Sequence, residues 1–182
     1  MSVDDRTLIG RVLNENDQRA FSELVKRYQS QLRYSLRQIT GWDQALADDL
    51  AQETFIKAYK SLRQFRGDAK FFTWLYRIAY HCFLAHKRSQ KPEEQLEDEG
   101  KLPDAGYDPE TAADLHRDLA RAMLVLSPEQ RMALHLHLHR ELTHEEVAEI
   151  MNCPLGTAKS HIQRGREKLK EQLGSWREGS TA

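Results

Sequence analysis

Residues 133 to 145 read ALHLHLHRELTHE, which sets His135, His137 and His139 at every second position and His144 directly before Glu145. Imidazoles at short regular spacing are zinc-ligand chemistry, and His144-Glu145 matches the first half of the metalloprotease helix pattern H-E-x-x-H. A second set is carboxylic: Asp48, Asp49 and Glu53 with Gln52 between, Asp49 and Glu53 lying four apart. Paired carboxylates serve as a general acid and base or hold magnesium. A third set alternates rings with cations. Phe71, Phe72, Trp74, Tyr76 and Tyr80 interleave with Lys70, Arg77, Lys87, Arg88 and Lys91. Bases stack on rings while lysine and arginine follow phosphates, so this pattern suits single-stranded nucleic acid. Lys159, Ser160, Gln163, Arg164 and Lys168 carry donors for phosphates and base edges.

The elements that hold these residues decide among the chemistries. Phe21, Leu24, Val25, Tyr28 and Leu32 follow the apolar series of one helix face, with Asp17 a candidate N-cap. After a break at Gly41, Ala47, Leu50, Ala51, Phe55, Ala58, Tyr59 and Leu62 repeat the pattern, with Asp43 able to cap it. RGDAK is the next break, and a third helix begins at about Phe72 with Leu75, Ile78, Ala79, Cys82 and Phe83 on its stripe. Three amphipathic helices with short connections predict a helical bundle. Farther on, Ser127-Pro128-Glu129-Gln130 is a capping box with proline at the first helical position. Thr143-His144-Glu145-Glu146 is a second box, and Asn152-Cys153-Pro154 interrupts about two turns later. Leu155, Ala158, Ile162 and Leu169 then mark a longer helix. Short helix, tight turn and longer helix predict a helix-turn-helix.

This setting weighs against the metal reading and leaves at most a two-histidine site of His135 and His139, with no obvious third ligand. No turn residue separates the Ser127 box from the histidines, so the tract is expected to be helical. On an α-helix His135 and His139 share a face while His137 points roughly 160° away, which defeats three-point coordination. Four residues after His144 stands Ala148, so H-E-x-x-H is absent. The histidines are expected on a partly exposed helix, with no metal and no cofactor. The carboxylates lack an accompanying nucleophile, glycine-rich phosphate loop or third convergent carboxylate, so a polar face for a basic protein partner explains them more simply. Of the rings, some must be core, Phe72 among them, whereas Tyr76, Tyr80 and the basic end of the helix are expected at the surface.

Charge is divided sharply along the chain. Between Ser89 and Asp114 lie nine acidic residues opposed only by Lys91 and Lys101, a local charge of −7 within a chain of net charge −1. The remainder therefore carries about +6. From Cys153 to Arg177 six basic residues face two acidic ones. The expected class is all-α: an N-terminal helical domain over 1–90, an acidic flexible linker over 91–113, and a C-terminal helix-turn-helix domain over 114–182. No apolar run reaches a membrane span, and the acidic N-terminus lacks a signal core, so a cytoplasmic location is expected. Cys82 and Cys153 make no disulfide framework and read as packing residues rather than redox sensors.

Four segments together carry a resemblance: AFSELVKRYQ, ADDLAQETFIKAY, FRGDAKFFTWLYRIAY and LSPEQRMALHLHLHRELTHEEVAEIMNCPLGTAKSHIQRGREKL. In this order they resemble the extracytoplasmic-function sigma factors, compact two-domain specificity subunits of bacterial RNA polymerase, over residues 5 to 173. The resemblance implies a promoter-specificity factor rather than an enzyme. It implies that Asp48, Asp49, Gln52, Glu53 and Phe55 belong to the helix that docks on the β′ clamp coiled coil of core polymerase. The loop from Gly67 to Phe71 and the helix from Thr73 to Arg88 match the −10 reading surface, which takes in Lys70, Phe71, Trp74, Tyr76, Arg77, Tyr80, His81, Lys87 and Arg88. Lys159, Ser160, Gln163, Arg164 and Lys168 would face the −35 element, and this second domain would meet the β flap. The linker would thread toward the active-site and RNA-exit channels, its acidity mimicking nucleic acid. An anti-sigma factor is the expected regulator, able to hold the protein at the inner membrane. The chain departs from the family's usual arginine-asparagine at Tyr80-His81, aspartate at Ala85, valine at Ala158 and arginine at His161.

Two other readings make different demands. A conventional helix-turn-helix regulator would bind symmetric operators unaided as a dimer, yet no coiled-coil heptad supports one and the aromatic-basic tract would have no use. A histidine-dependent metalloenzyme or metal sensor would require stoichiometric zinc.

Overall fold

The computed structural model describes residues 3–90, 122–123 and 125–179, with side chains described as far as residue 173. The all-α class is as expected, and no strand occurs among the described residues. The acidic stretch 91–113 lies outside them. The chain divides into two compact units, Met1–Leu36 with Ala45–Glu97 and Arg37–Gln44 with Asp98–Ala182.

The first unit opens with a helix that the sequence reading did not anticipate, α1 over Asp5–Glu15. Asp4 caps it, its carboxylate accepting the Thr7 amide and hydroxyl, each at 2.9 Å. Leu8, Ile9 and Val12 are its buried stripe, and Asn16 ends it in the left-handed region at φ 52°. Helix α2, Gln18–Ile39, follows at once. The predicted cap Asp17 accepts the Arg19 and Ala20 amides at 2.9 and 3.2 Å and also holds the Arg11 guanidinium at 2.6 Å. One side chain thus closes α1 and opens α2. Helix α3 spans Gln44–Ser61, continues into a 3-10 turn over Leu62–Gln64, and is followed by α4 over Phe71–Gln90. Gly67 in the intervening loop has φ 78°, a conformation that favours glycine.

The apolar period predicts the core of this unit well in α4, where Leu75, Ala79, Cys82 and Phe83 are buried, whereas on the α2 stripe only Leu24 and Leu32 are buried and Phe21, Val25 and Tyr28 are half-buried. Leu24, Leu32, Leu75 and Phe83 are all at 0% exposure. In α3 the stripe is only partly buried: Ala47, Leu50, Ala51 and Ala58 are core, whereas Tyr59 is 39% exposed. Tyr59 sits at the edge of the stripe, where Phe21 of α2 meets its ring edge-on at 4.9 Å. A tie from α2 to α4 is polar. Tyr76 donates its hydroxyl to the Gln31 carbonyl at 3.0 Å and lies 2.8 Å from the Ser35 hydroxyl.

In the second unit both capping boxes form as predicted. Ser127 Oγ accepts the Gln130 amide at 3.2 Å while Gln130 Oε1 accepts the Ser127 amide at 3.1 Å, opening α5 over Pro128–Leu134. Thr143 and Glu146 make the same reciprocal pair at 3.2 and 2.9 Å and open α6 over His144–Met151. Asn152 stops α6 in the left-handed region at φ 50°, and α7 runs over Leu155–Gly179. Ala133, Leu136, Val147, Ile150 and Ala158, all at 0% exposure, form the core where these helices meet. Helix α7 crosses α5 closely at Gly165: a Cβ there would stand 2.7 Å from Leu134 Cδ1. Arg131 is buried and donates to the Met123 and Leu126 carbonyls at 3.0 and 3.2 Å, so a guanidinium serves as a backbone clamp.

The histidine tract departs from the α-helix expected of it. His135–His139 forms a π-helical turn, and the chain leaves it through Arg140 N–H to His135 O and Leu142 N–H to Leu136 O, both 3.2 Å. The wider turn keeps His135 and His139 on one face, their rings stacked at 5.4 Å. His137 turns instead to His144, ring centroids 4.6 Å apart, and its Nδ1 lies 2.9 Å from the Leu142 carbonyl. The partly exposed placement holds for His137 and His139 but not for His135, which is at 0% exposure.

Candidate nucleic-acid interface

Helix α7 carries one face into the core and one into solvent. Ala158 and Ile162 are buried, while Lys159, Gln163, Arg164 and Lys168 are exposed and Ser160 is half-buried at the margin. The turn that aims this face is rigid at both ends. The Cys153 amide donates to the Ala148 carbonyl at 3.1 Å, and Pro154 O accepts the Thr157 and Ala158 amides at 2.9 and 3.1 Å. Gln163 Nε2 donates to Glu167 Oε1 at 3.0 Å, so its amide is held within the helix until a ligand exchanges the contact. Exposed donors on the second helix of a helix-turn-helix are suited to the DNA major groove.

Helix α4 sorts the predicted aromatic-basic set into two groups. Lys70, His81 and Arg88 are exposed, and Trp74, Arg77 and Lys87 are half-buried. Phe71, Tyr76 and Tyr80 are core residues at 3%, 0% and 3% exposure. The surface placement expected for Tyr76 and Tyr80 is therefore corrected. Their positions fall on the stripe of Leu75, Ala79 and Phe83, and the Tyr76 hydroxyl is satisfied inside by Gln31 and Ser35. Phe72, expected in the core, is half-buried and stacks on Tyr76 at 4.1 Å. In this conformation Phe71, Tyr76 and Tyr80 support the surface from beneath rather than offering it a face.

The surface that remains is cationic. His81 is held below the ordinary histidine range, first by partial burial and then by the positive charges of Arg77, Arg88 and Lys57. A neutral ring among three cations offers phosphate a charged patch with a hydrogen-bonding centre. Lys57 belongs to α3 and escaped the sequence reading, because its only local signal is an i,i+4 pair with Glu53 at 2.6 Å. Cys82, beneath the patch, is buried, and burial raises its thiol; the half-buried Cys153 thiol is raised for the same reason.

Of the carboxylate set on α3, Asp48, Asp49 and Gln52 line an apolar groove, while Glu53 lies outside that lining and pairs with Lys57. Asp49, Gln52 and Glu53 are exposed, Asp48 and Phe55 half-buried. Arg33 of α2 lies 3.6 Å from Asp48 across the groove. Phe21, Val25, Phe55, Ile56 and Tyr59 line a volume of ≈ 640 Å³, and Ile56 is 47% exposed. An exposed isoleucine and tyrosine inside a polar rim have the composition suited to docking a protein. Val25, Ile56 and Tyr59 were invisible as site residues, since the apolar period assigns such side chains to the core or to none. Among the described residues no three His, Cys, Asp or Glu side chains are placed to share a metal ion, and no helix is long and apolar enough to cross a membrane.

Comparison with known proteins agrees with this geometry. Residues 24–93 match the family model Sigma-70 region 2, and residues 116–169 match Sigma-70, region 4. The chain is 36% identical over 186 residues to the ECF RNA polymerase sigma-E factor of Escherichia coli K12, covering 94% of this chain and 95% of that protein. It is 34% identical over 184 residues to the sigma-E factor of Haemophilus influenzae, with 94% and 96% covered. Among solved structures it is similar to CnrH in complex with the cytosolic domain of CnrY, at a TM-score of 0.71 and 25% identity over 94% of this chain and 97% of that one. It is also similar to the sigma factor RpoE from Bartonella quintana in complex with the anti-sigma factor NepR, at a TM-score of 0.69 and 25% identity over 85% and 96%.

Proposed function

We infer how this protein works from its kinship, because the chain belongs to the extracytoplasmic-function sigma factors of the sigma-70 family. It is a promoter-specificity subunit: it joins core RNA polymerase and directs transcription initiation at chosen promoters. The observation that carries the reading is the exposed cationic face of α7, aimed by a capped turn and backed by the buried Ala158 and Ile162.

The division of labour is our proposal. Residues 1–90 bind polymerase and the −10 element, 91–113 link, and 114–182 read the −35 element. Lys159, Ser160, Gln163, Arg164 and Lys168 face the −35 element, where Arg164 reaches a base edge and the lysines bind phosphate. Lys70, Trp74, Arg77, His81, Lys87 and Arg88 receive the −10 strand, with Lys57 added to the same patch. Phe71, Tyr76 and Tyr80 shape that surface from the core side. The α3 edge of Asp48, Asp49, Gln52, Glu53 and Phe55 docks on the β′ clamp, its acids meeting a basic partner and Phe55 filling an apolar contact. An anti-sigma factor competes for these surfaces, a reading supported by two similar structures solved in complex with CnrY and with NepR. The protein works in the cytoplasm beside polymerase, and such a partner would be able to hold it at the inner membrane.

The test is binding to purified core polymerase, followed by transcription from a cognate promoter. Asp49→Lys or Glu53→Lys weakens core binding at least several-fold while leaving the helical circular dichroism of the chain unchanged. A wild-type chain that fails to bind core polymerase ends this reading.

A further inference from the structure

The loop 65–70 ahead of α4 has little internal support. The Phe65 amide donates to Leu62 O at 3.1 Å where the loop starts, and Lys70 O accepts the Trp74 amide at 3.2 Å where it ends. Three rings close it at the base: Phe65 meets Phe71 edge-on at 5.9 Å, and Trp74 lies 5.3 and 5.7 Å from the two. Phe71 in turn rests against Tyr28 of α2, 5.5 Å away, with Phe72 at 6.5 Å.

Tyr28 is itself pinned from α1. Its hydroxyl donates to one oxygen of Asp5, and the other oxygen of Asp5 receives the Arg27 guanidinium. Arg27 also reaches the Val3 carbonyl at 2.6 Å. Burial and the Asp5 carboxylate both raise the Tyr28 phenol well above its ordinary value, which keeps it a donor. Helix α1 additionally contacts the 3-10 turn Leu62–Gln64 that leads into the loop. Thus α1, which carries no residue of the DNA-contacting set, meets the turn that leads into the loop and reaches its other end through Tyr28.

We propose that Asp5 and Tyr28 are positioning residues for −10 strand capture: their hydrogen bond fixes the ring on which Phe71 rests and so holds the loop in its receiving shape. The inference rests on the −10 assignment proposed above. Its physical logic is preorganisation. A loop already shaped needs less ordering when an unpaired strand arrives, and the hydroxyl of Tyr28 supplies orientation that phenylalanine of equal bulk would not. The hydrophobic packing of α1 through Leu8, Ile9 and Val12 is a separate matter, which makes the two roles separable.

The experiment uses holoenzyme assembled from core polymerase and the full chain, with a fluorescent single strand carrying the non-template −10 region of a promoter the wild type uses. Tyr28→Phe and Asp5→Ala each weaken strand binding about three- to tenfold, the loss expected when one or two side chains must be ordered anew. The double variant loses no more than Asp5→Ala alone, because that substitution already removes the acceptor of the Tyr28 hydroxyl. Core affinity and binding of a −35 duplex stay at wild-type levels. Thr7→Ala, which removes a capping contact of α1 but leaves the Asp5–Tyr28 bond, binds the strand as the wild type does. Wild-type strand binding by Tyr28→Phe overturns the proposal, as does an equal loss in Thr7→Ala or a parallel loss of core affinity. If the wild-type holoenzyme binds no promoter strand, the −10 assignment fails and this inference falls with it.

Discussion

Acidification should loosen the helix-turn-helix unit through a single side chain. His135 is wholly enclosed on its π turn, and its folded pKa is pushed down to about 3, first by burial and then by the positive charges of His139 and Arg140. The unfolded chain takes up a proton at this ring near the ordinary value of about 6.5, so below that pH the unfolded state binds more protons than the folded one. The stabilisation is therefore complete above about pH 6.5 and is lost as pH falls toward the folded value. Each pH unit within that window costs about 1.4 kcal/mol, and the step from pH 7.5 to 5.5, which crosses only its uppermost unit, costs about 1.4 kcal/mol in total. That is close to a tenfold rise in the unfolded fraction. The assay is urea denaturation of the full chain followed through amide resonances of residues 130–165, at pH 7.5, 6.5 and 5.5, with a parallel titration of the His135 ring protons. His135→Leu removes this part of the slope, whatever it does to stability at pH 7.5. A His135 ring that titrates near 6.5 in the native protein, or an equal slope in wild type and His135→Leu, refutes the reasoning.

Two further substitutions probe the same unit. Arg164→Ala weakens binding to the −35 duplex by about 1–3 kcal/mol and relaxes base preference at one position, as read by competition footprinting of holoenzyme; an unchanged footprint removes Arg164 from the base-reading role. Gly165→Ala drives a methyl against Leu134, where the Cβ position stands 2.7 Å from Cδ1 and 3.1 Å from Cγ. In a filled core this overpacking costs about 1–3 kcal/mol, measured as a lower urea midpoint; a midpoint equal to wild type means that Leu134 yields freely.

What the sequence disclosed was governed by how local the cause is. The Ser127 and Thr143 boxes, the Asp17 cap and the stop at Asn152 are interactions across two or three residues, and each formed as its residue types require. Helix α1 was legible in the same terms, since Asp4 and Thr7 form its cap, but its stripe of Leu8, Ile9 and Val12 is too short to announce itself by period. The cationic face of α7 was readable because an uninterrupted helix fixes which side chains point away from Ala158 and Ile162. Burial on α4 was not, because rings beside cations look alike in sequence whether they stack on bases or fill a core. What distinguishes them is the distant Gln31 carbonyl and Ser35 hydroxyl waiting for Tyr76. The π turn was hidden for a related reason: alternation in Leu-His-Leu-His fits several backbones, and the period alone does not choose among them. The same holds for Tyr59 and Ile56, which a helical period cannot tell from core when the groove they line is itself apolar.

The measurement that bears most directly on the central claim is reconstituted transcription with the starts mapped. Purified chain and bacterial core polymerase are incubated with genomic DNA of the organism that encodes it, and transcript 5′ ends are sequenced against a reaction containing core alone. A specificity subunit yields a small set of new starts that share one −35 and −10 pair, and Arg164→Ala depletes them. New starts absent from the reaction, or starts with no shared upstream sequence, would contradict it.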